Sequence, residues 1–462
     1  MKNVQGKYYY RFFCKCLMTA IVTSMFSWMW VRFVSVYNQT GHLTGYGNIG
    51  MAIAIYIAVF YIIGTWLHAF NIGVDRKAAI VASIVLTAVT VDFIEIFLSM
   101  AITGQFRFFN KLLLRYTILC IAQSFVLSVV AIILTNIYRK LFPPLQILEV
   151  YGDKAHGLHN KINSIPYKYH VKKLVHYSLT IEDLRKEIME YDAVLISDIP
   201  AHEKNLILKT CVDLDKRVYL VPKISDVIIA SSEKLNLFDT PLFLIRDVGI
   251  NAAERFIKRM MDIVLSGLAL ILLSPLLLVT GIAIKVNDGG PIFYRQERCT
   301  IGGNKFMILK FRSMIVDAEK DGRPHPAGEK DDRITKVGHV IRATRIDELP
   351  QIINILKGDM SIVGPRPERV EHVEKYTVDI PEFTFRSKVK GGLTGYAQVY
   401  GKYNTTALDK LKLDLIYIMN YSLLLDIQII FETVKILFRK ESTEGFSEER
   451  VAEMHGKGDE DV

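Results

Sequence analysis

The sequence predicts a membrane-bound α+β protein: four transmembrane helices, then a small α/β domain, then a C-terminal domain that carries one more membrane helix. Three observations support this fold class. Long apolar runs fill the first third of the 462 residues, short apolar strands alternate with helical segments in the middle, and a fifth apolar run precedes a stretch rich in Arg, Asp, Gly and Pro. A chain of this length exceeds one ordinary domain, so several units are expected.

The N-terminal segment, residues 1–140, is predicted to be a four-helix transmembrane bundle. Each of its apolar runs has the roughly 20 residues that a helix needs to cross a bilayer; the runs cover 17–36, 49–70, 78–102 and 112–137. The loop 37–48 contains neither Lys nor Arg, whereas basic residues precede the first run and follow the second and the fourth. The positive-inside rule therefore places both ends of the bundle in the cytoplasm.

Asp92 and Glu95 lie inside the third apolar run. A carboxylate at this depth is costly and can mark a functional site. Polar side chains also hydrogen-bond across membrane helices with modest energy. We favour this second interpretation.

The overall composition narrows the possible partners. The net charge of +9 fits cytoplasmic loops and attraction to anionic lipids. No basic run is interleaved with aromatic residues that could stack on bases, so we expect no nucleic-acid partner. The five cysteines form no CxxC pair, which argues against a zinc site or a disulfide scaffold and favours a reducing compartment.

Residues 141–250 are predicted to form a degenerate Rossmann-like α/β domain. Apolar strands are expected at 147–150, 193–197 and 217–221, with a helix at 181–191. This alternation predicts a small parallel sheet. Gly152 and Gly157 follow the first strand, as in a nucleotide-binding turn, but the GxGxxG spacing is absent. We therefore expect a domain without a cofactor.

The fifth apolar run, 263–286, is predicted to be a re-entrant helix. Ser274-Pro275 lies at its middle, where proline removes a backbone donor and clashes with the preceding turn. Lys258 and Arg259 precede the run and a lysine lies at its end, so both ends are expected on the cytoplasmic side. A kinked helix that crosses the membrane is the alternative, since spans tolerate proline.

Within residues 251–440, Asp347 and Glu348 are the first candidates for chemistry. Adjacent carboxylates repel, so one is commonly paired with a cation or a metal, and Arg345 lies just upstream. A carboxylate can also act as a nucleophile in phosphoryl transfer. Mg²⁺ prefers a few carboxylates together with substrate phosphates and water. A solvated helix face of mixed charge would explain the same residues.

Nearby cationic residues favour phosphate chemistry over a solvated face. Arg366 lies between two prolines, and its guanidinium suits bidentate binding of a phosphate. Lys310 and Arg312 lie in one short segment, and Arg298 follows the fifth apolar run. Many cations around one acidic pair indicate diphosphate chemistry at a membrane surface.

Together these segments resemble the bacterial sugar transferases, also called polyprenyl-phosphate hexose-1-phosphate transferases or monotopic phosphoglycosyl transferases. The resemblance covers about 255–439, and the four apolar runs with a soluble middle domain are similar to the large members of the family. The motifs that carry it occur in order: Lys258-Arg259 with Asp262, Ser274-Pro275, 290–298, 310–314, Asp347-Glu348, 358–367, 392–395 with Gln398-Val399, and 414–426. Three positions depart from the family pattern: Gly391 before Gly392, Cys299 after the Gln-x-Arg motif, and Lys402 after Gly401.

The resemblance implies a two-step transfer of a hexose 1-phosphate from a UDP-sugar to undecaprenyl phosphate. Asp347 would attack the sugar-linked phosphate, releasing UMP and leaving a covalent aspartyl-phosphosugar, while Glu348 would bind Mg²⁺. The residues expected at the substrate phosphates are Arg366, Lys310, Arg312, Arg345 and Arg298. Those expected at the lipid phosphate or the membrane interface are Lys258 and Arg259.

The resemblance also implies a biological setting. The reaction would be the first membrane step of exopolysaccharide, capsule or O-antigen synthesis, with UDP-glucose or UDP-galactose as donor. The protein would be a homodimer in the bacterial inner membrane, with the catalytic domain 251–440 on the cytoplasmic face and a charged tail at 441–462. An inactive scaffold is a weaker alternative because the acidic pair and the arginines are all present. A transporter has only Asp92 and Glu95 in its favour, without the internal repeat of a carrier.

Overall fold

The computed structural model describes residues 2–34, 46–104, 106–152, 158–245, 249–316, 318, 331–401 and 405–437. The chain divides into two compact units, Met1–Val221 and Pro222–Val462. Most of the first loop, Gly157, Lys402 and the predicted tail 441–462 lie outside the described residues.

The first unit begins with four long helices. They are α1 (Lys2–Met29, continued by a π-helical turn at Trp30–Val34), α2 (Tyr46–Trp66), α3 (Lys77–Thr103) and α4 (Phe109–Leu141). All four are long and apolar enough to cross a membrane. They share one apolar cluster, in which the rings of Phe26 and Tyr56 stack with 3.9 Å between their centroids. The protein is thus an integral membrane protein, while the four-span topology and its orientation stay predictions.

Polar side chains on α3 are buried among these helices. The hydroxyl of Tyr56 on α2 lies 3.5 Å from Asp92 and donates a hydrogen bond to Gln123 on α4 at 3.1 Å. The indole of Trp30 donates to Ser99 at 3.0 Å. These contacts between helices agree with the interpretation favoured for Asp92.

A four-stranded parallel sheet completes the first unit. Its elements are β1 (Leu145–Tyr151), α5 (Leu158–Asn163), β2 (Tyr169–His176), α6 (Ile181–Glu190), β3 (Ala193–Ser197), α7 (Ala201–Asp213) and β4 (Arg217–Leu220), with strand order β2-β1-β3-β4. The three predicted strands correspond to β1, β3 and β4. Strand β2 was missed because histidine and lysine interrupt its apolar pattern.

Gly152 has a packing role at the end of β1. A Cβ atom at this position would lie 1.7 Å from the carbonyl oxygen of Asp198. The backbone after β1 approaches the backbone after β3 this closely only because the residue is glycine. This contact accounts for the glycine without a bound nucleotide.

The described residues of the second unit are rich in helix and form three two-stranded sheets. Its helices are α8 (Ile224–Ala230), α9 (Ala252–Asp288), α10 (Lys336–Ala343), α11 (Gln351–Lys357), α12 (Val370–Asp379), α13 (Tyr396–Tyr400), α14 (Ala407–Met419) and α15 (Leu423–Leu437). The antiparallel pairs are β5 (Glu233–Leu237) with β6 (Thr240–Leu244) and β7 (Phe293–Cys299) with β8 (Lys305–Phe311). The parallel pair is β9 (Ser361–Val363) with β10 (Gly392–Thr394).

Helix α9 contains the fifth apolar run and is continuous through Pro275. Its start is capped by Asn251, whose side chain accepts a hydrogen bond from the backbone of Glu254 at 2.9 Å, while the Glu254 carboxylate accepts one from the Asn251 backbone. The helix is long and apolar enough to cross a membrane. The predicted bend at Ser274-Pro275 stays a prediction.

Both ends of α9 pack on the second unit. Near its start, Arg259 donates to the carbonyl oxygen of Ile355 at 2.6 Å, and Asp262 accepts a hydrogen bond from the backbone of Ile362 at 2.9 Å. Near its end, Ile284 packs in one apolar cluster with Phe311. The apolar side chains at its middle are exposed: Leu268, Ile271, Leu272, Leu278 and Val279.

Candidate active site

The acidic pair lies on a single 3-10 turn, Ile346–Glu348, between α10 and α11. The turn is preceded by Arg345 in the left-handed conformation, with φ of +57°. A non-glycine residue rarely adopts this φ, and such residues are often found at functional sites. The turn packs beside β8, and both acidic residues are partly buried.

Glu348 is held by two cations from different segments. Its Oε1 atom accepts a hydrogen bond from Lys310 Nζ of β8 at 2.8 Å and another from Arg366 Nη2 at 2.6 Å. Only 13% of the Glu348 side chain is exposed. Burial alone would raise its pKa, but Arg366 and Lys310 outweigh burial and hold the pKa well below its usual value. Glu348 is therefore ionised at neutral pH.

Asp347 differs from its neighbour. Among the described residues, its carboxylate accepts no hydrogen bond. Burial and then the charge of Glu348 raise its pKa, against the opposing effect of Lys310. Two adjacent carboxylates with pKa values shifted in opposite directions are typical of a pair with distinct chemical roles.

The loop that carries Arg366 is fixed by backbone hydrogen bonds. Gly364 donates to the carbonyl of Thr394 at 2.8 Å, and Gly392 donates to the carbonyl of Pro365 at 2.9 Å. A Cβ atom on Gly392 would lie 2.1 Å from the Gly364 nitrogen, so only glycine permits this approach. The loop therefore presents Arg366 from a rigid backbone.

Arg298 lies beside the same loop. It donates to the carbonyl of Pro367 at 3.2 Å and to the side chain of Gln296 at 2.6 Å. Burial, followed by repulsion from Arg366, lowers the pKa of Arg298 to about 10. The concentration of positive charge here suits a phosphate group.

Binding of a metal ion at this site would require phosphates of a bound substrate as additional ligands. Within the described parts of the chain, no group of three or more His, Cys, Asp or Glu side chains is placed to hold a metal. The Asp347 carboxylate and the second oxygen of Glu348 accept no hydrogen bond from described residues. Because Mg²⁺ is commonly bound by one or two carboxylates plus substrate phosphates and water, this donor set fits Mg²⁺ together with a bound diphosphate.

Comparison with known proteins identifies the family. A family model described as bacterial sugar transferase matches residues 253–440. The exopolysaccharide production protein ExoY of Sinorhizobium fredii is 37% identical over 210 residues, which are 42% of this chain and 92% of that protein. The chain belongs to the bacterial sugar transferase family.

Longer relatives match this sugar transferase over part of their length. A UDP-N-acetylgalactosamine-undecaprenyl-phosphate N-acetylgalactosaminephosphotransferase of Aeromonas hydrophila is 40% identical over 255 residues, 54% of this chain and 59% of the relative. A UDP-glucose:undecaprenyl-phosphate glucose-1-phosphate transferase of Klebsiella pneumoniae is 41% identical over 222 residues, 47% of this chain and 48% of the relative. The matches thus span about half the length of these curated relatives.

Three of the predicted site residues bond protein groups away from the acidic pair. Arg312 is paired with Asp288 at the end of α9. Lys258 is buried and bonded to Asp426 at 2.5 Å, and Arg259 holds two backbone carbonyls of α11. Since Lys258 and Arg259 have protein partners, we propose that they anchor the start of α9. Lys310 and Arg366 both bond Glu348, so these three residues lie together, while their roles at the substrate phosphates and the metal stay predictions.

One group of charged residues beside the candidate site was missed from the sequence. Arg386, in the 3-10 segment Pro381–Lys388, bonds Asp414 of α14 at 2.6 Å and the carbonyl of Arg366 at 3.0 Å. Lys410 bonds Glu368 at 2.8 Å. Burial alone would raise the pKa of Glu368, but Lys410 and Arg386 lower it to about 2. Asp414 was noticed only as part of a motif, because its partner lies 28 residues away and no local pattern joins them.

Proposed function

We propose that this protein transfers a hexose 1-phosphate from a UDP-sugar to undecaprenyl phosphate through a covalent aspartyl-phosphosugar, releasing UMP. One observation carries the proposal: Asp347 is an unbonded carboxylate, among the described residues, next to Glu348, which Lys310 and Arg366 hold ionised. The relatives' names supply the substrates, since they act on UDP-sugars and undecaprenyl phosphate.

In the first step, an oxygen of Asp347 attacks the phosphorus that bears the sugar. A bond forms between this oxygen and the phosphorus, and the bond to the bridging oxygen of the diphosphate breaks. UMP leaves with the bridging oxygen. Arg366 and Lys310, already directed at the acidic pair, stabilise the negative charge on the phosphoryl group during transfer.

In the second step, a phosphate oxygen of undecaprenyl phosphate attacks the same phosphorus. The bond to Asp347 breaks, the carboxylate is restored, and the product is an undecaprenyl diphosphate sugar. A covalent intermediate allows the soluble donor and the lipid acceptor to use one site in turn. Glu348 keeps its charge through both steps because its two cationic partners belong to the protein.

Mg²⁺ is the proposed cofactor. Glu348 would hold it together with the donor phosphates, and when bound it would neutralise charge on those phosphates. Lys310 and Arg366 bond Glu348 through its Oε1 atom, and the other carboxylate oxygen would be the one available to the metal.

We propose that α9 is re-entrant, with the catalytic domain on the cytoplasmic face of the bacterial inner membrane. A straight helix of its length would measure about 55 Å. A helix that crossed the bilayer would leave its two ends on opposite faces, yet Arg259 and Ile284 both pack on the same unit. A globular domain lies on one side only, so the exposed apolar middle would dip into the lipid and return.

Membership of the family specifies the donor sugar less precisely than it specifies the reaction. We propose UDP-glucose or UDP-galactose, for the first membrane step of exopolysaccharide, capsule or O-antigen synthesis. The identities of 40% and 41% to relatives named for N-acetylgalactosamine and glucose are too close to select one sugar. UDP-N-acetylgalactosamine therefore belongs in the test panel.

We also propose that the protein is a homodimer. The hairpin β5–β6 ends in Phe238, which is 96% exposed, and it also exposes Leu237 and Phe243. Exposed apolar groups of this kind are often covered by association. Cross-linking in native membranes would test the dimer, and a monomer at all cross-linker concentrations would exclude it.

The central experiment measures UMP release from each UDP-sugar, with and without undecaprenyl phosphate. We expect the wild type with donor alone to accumulate a phosphosugar adduct on Asp347, detectable by mass spectrometry of its peptide. Asp347→Asn should neither release UMP nor form the adduct. Normal turnover by Asp347→Asn would show that the nucleophile is another residue.

A further inference from the structure

The backbone of Arg366 is held by a buried side chain that makes no direct contact with the acidic pair. Arg386 Nη2 donates to the Arg366 carbonyl oxygen at 3.0 Å, while Arg386 Nε donates to Asp414 Oδ2 at 2.6 Å. Both side chains of this ion pair are buried. The guanidinium therefore links α14 to the loop that presents Arg366.

Other contacts leave Arg386 with little freedom. Its guanidinium lies over the ring of Phe383, 4.7 Å from the centroid, and Phe383 is itself buried. Its Nη1 atom lies 4.0 Å from Glu368, which also bonds Lys410. A planar guanidinium satisfies several partners at fixed angles, which a lysine ammonium cannot reproduce.

The Arg366 side chain needs such support. Its guanidinium bonds Glu348 at 2.6 Å, and 36% of the side chain is exposed, so the position of its backbone decides where this contact is made. A displacement of its backbone would change where the guanidinium meets a phosphate. Groups that stabilise transferred phosphate depend on position to within a fraction of an ångström.

We propose that Arg386, held by Asp414, is a positioning residue that sets the place of Arg366 for binding of the donor diphosphate. This inference rests on the proposed function for the identity of the ligand. It assigns Arg386 and Asp414 no contact with substrate, so their effect must pass through Arg366.

A double-mutant cycle tests this dependence. The full-length protein and its Arg386→Lys, Arg366→Lys and doubly substituted variants are titrated with UDP in the presence of Mg²⁺. We expect each single substitution to weaken UDP binding about ten-fold, the effect of roughly one charge-assisted hydrogen bond. The double variant should bind no more than about two-fold more weakly than Arg366→Lys alone, since coupled residues are not additive.

Two outcomes would overturn the inference. One is wild-type UDP affinity in Arg386→Lys. The other is multiplication of the two single effects in the double variant, as expected if Arg386 acts independently of Arg366. Asp414→Asn provides a second variant, because asparagine keeps an acceptor for Arg386 without the charge. It should also weaken UDP binding, and only while Arg366 is present.

A matched control comes from the first unit. Lys216 donates to the carbonyls of Met189 and Tyr191 at 2.8 and 2.7 Å, so it too is a cation that holds backbone oxygens. Lys216→Met should leave UDP affinity unchanged. Failure of the proposed function is seen separately, as a wild type that binds UDP but releases no UMP from any UDP-sugar.

Discussion

Glu348→Gln is expected to destabilise the second unit by about 2 kcal/mol, from the loss of charge opposite two cations. A charge-assisted hydrogen bond contributes roughly 1.5–3 kcal/mol, and the neutral amide keeps about half of it. The Lys310 bond is well shielded, with 18% of that side chain exposed. Arg366 lowers the pKa of Glu348 more than Lys310 does, but 36% of its side chain is exposed, so solvent screening reduces its contribution to stability.

The assay is thermal unfolding of the purified protein in detergent. For a unit of this size, a loss of about 2 kcal/mol lowers the unfolding midpoint by roughly 4–8 °C. The matched control is Glu297→Gln, whose partner Lys305 is 3.5 Å away with both side chains about half exposed; its midpoint should change by less than about 1 °C. Equal midpoints for the wild type and Glu348→Gln would refute the argument that Glu348 is a stabilising ion-pair partner.

The loss of stability caused by Glu348→Gln should vary with pH in a defined direction. The pKa of Glu348 is lower in the folded protein than its ordinary value. Its stabilising contribution is therefore complete above the unfolded pKa of about 4.3 and is lost as the pH falls toward the folded value. The difference in midpoint between wild type and Glu348→Gln should be constant from neutral pH down to about pH 5 and shrink below it. A difference that grows on acidification would contradict the sign.

Two further predictions concern packing and buried charge. Gly392→Ala forces a Cβ atom to within 2.1 Å of the Gly364 nitrogen. It should therefore lower the free energy of unfolding by about 2 kcal/mol or more and reduce UMP release. Gly267→Ala, which has open space around it, should change neither. Lys258→Met leaves Asp426 buried without its cation and should destabilise by about 3–5 kcal/mol in chemical denaturation. Adding Asp426→Asn to Lys258→Met should restore part of the loss, and no recovery would show that the pair is not coupled.

Much of the fold followed from periodicity along the chain. The four apolar runs correspond to α1–α4, and α6 and β3 begin at the residues expected, because their signals lie within each segment. The pairing of strands was harder to predict. Histidine and lysine interrupt the apolar residues of β2, and only its place beside β1 makes it part of the sheet. Which face of β2 is buried depends on the elements that pack against it.

At the candidate site, too, the residue types could be predicted from the sequence, whereas the contacts between them could not. Asp347, Glu348, Lys310 and Arg366 could be chosen from residue type and spacing, since phosphate chemistry requires carboxylates and cations in a rigid setting. Which of these residues contact one another could not be predicted. Lys310 and Arg366 lie 38 and 18 residues from Glu348 along the chain and meet it only after folding.

The amino-acid order thus specified which chemical groups this protein possesses and which segments are apolar enough to enter a membrane. Only the tertiary structure assigned both cations to Glu348 and none of the described hydrogen bonds to Asp347, and it paired Lys258 with Asp426 inside the unit. The physical reason is that helix and strand signals arise from near neighbours, whereas the energy of a charge depends on burial and on partners that distant segments bring to it.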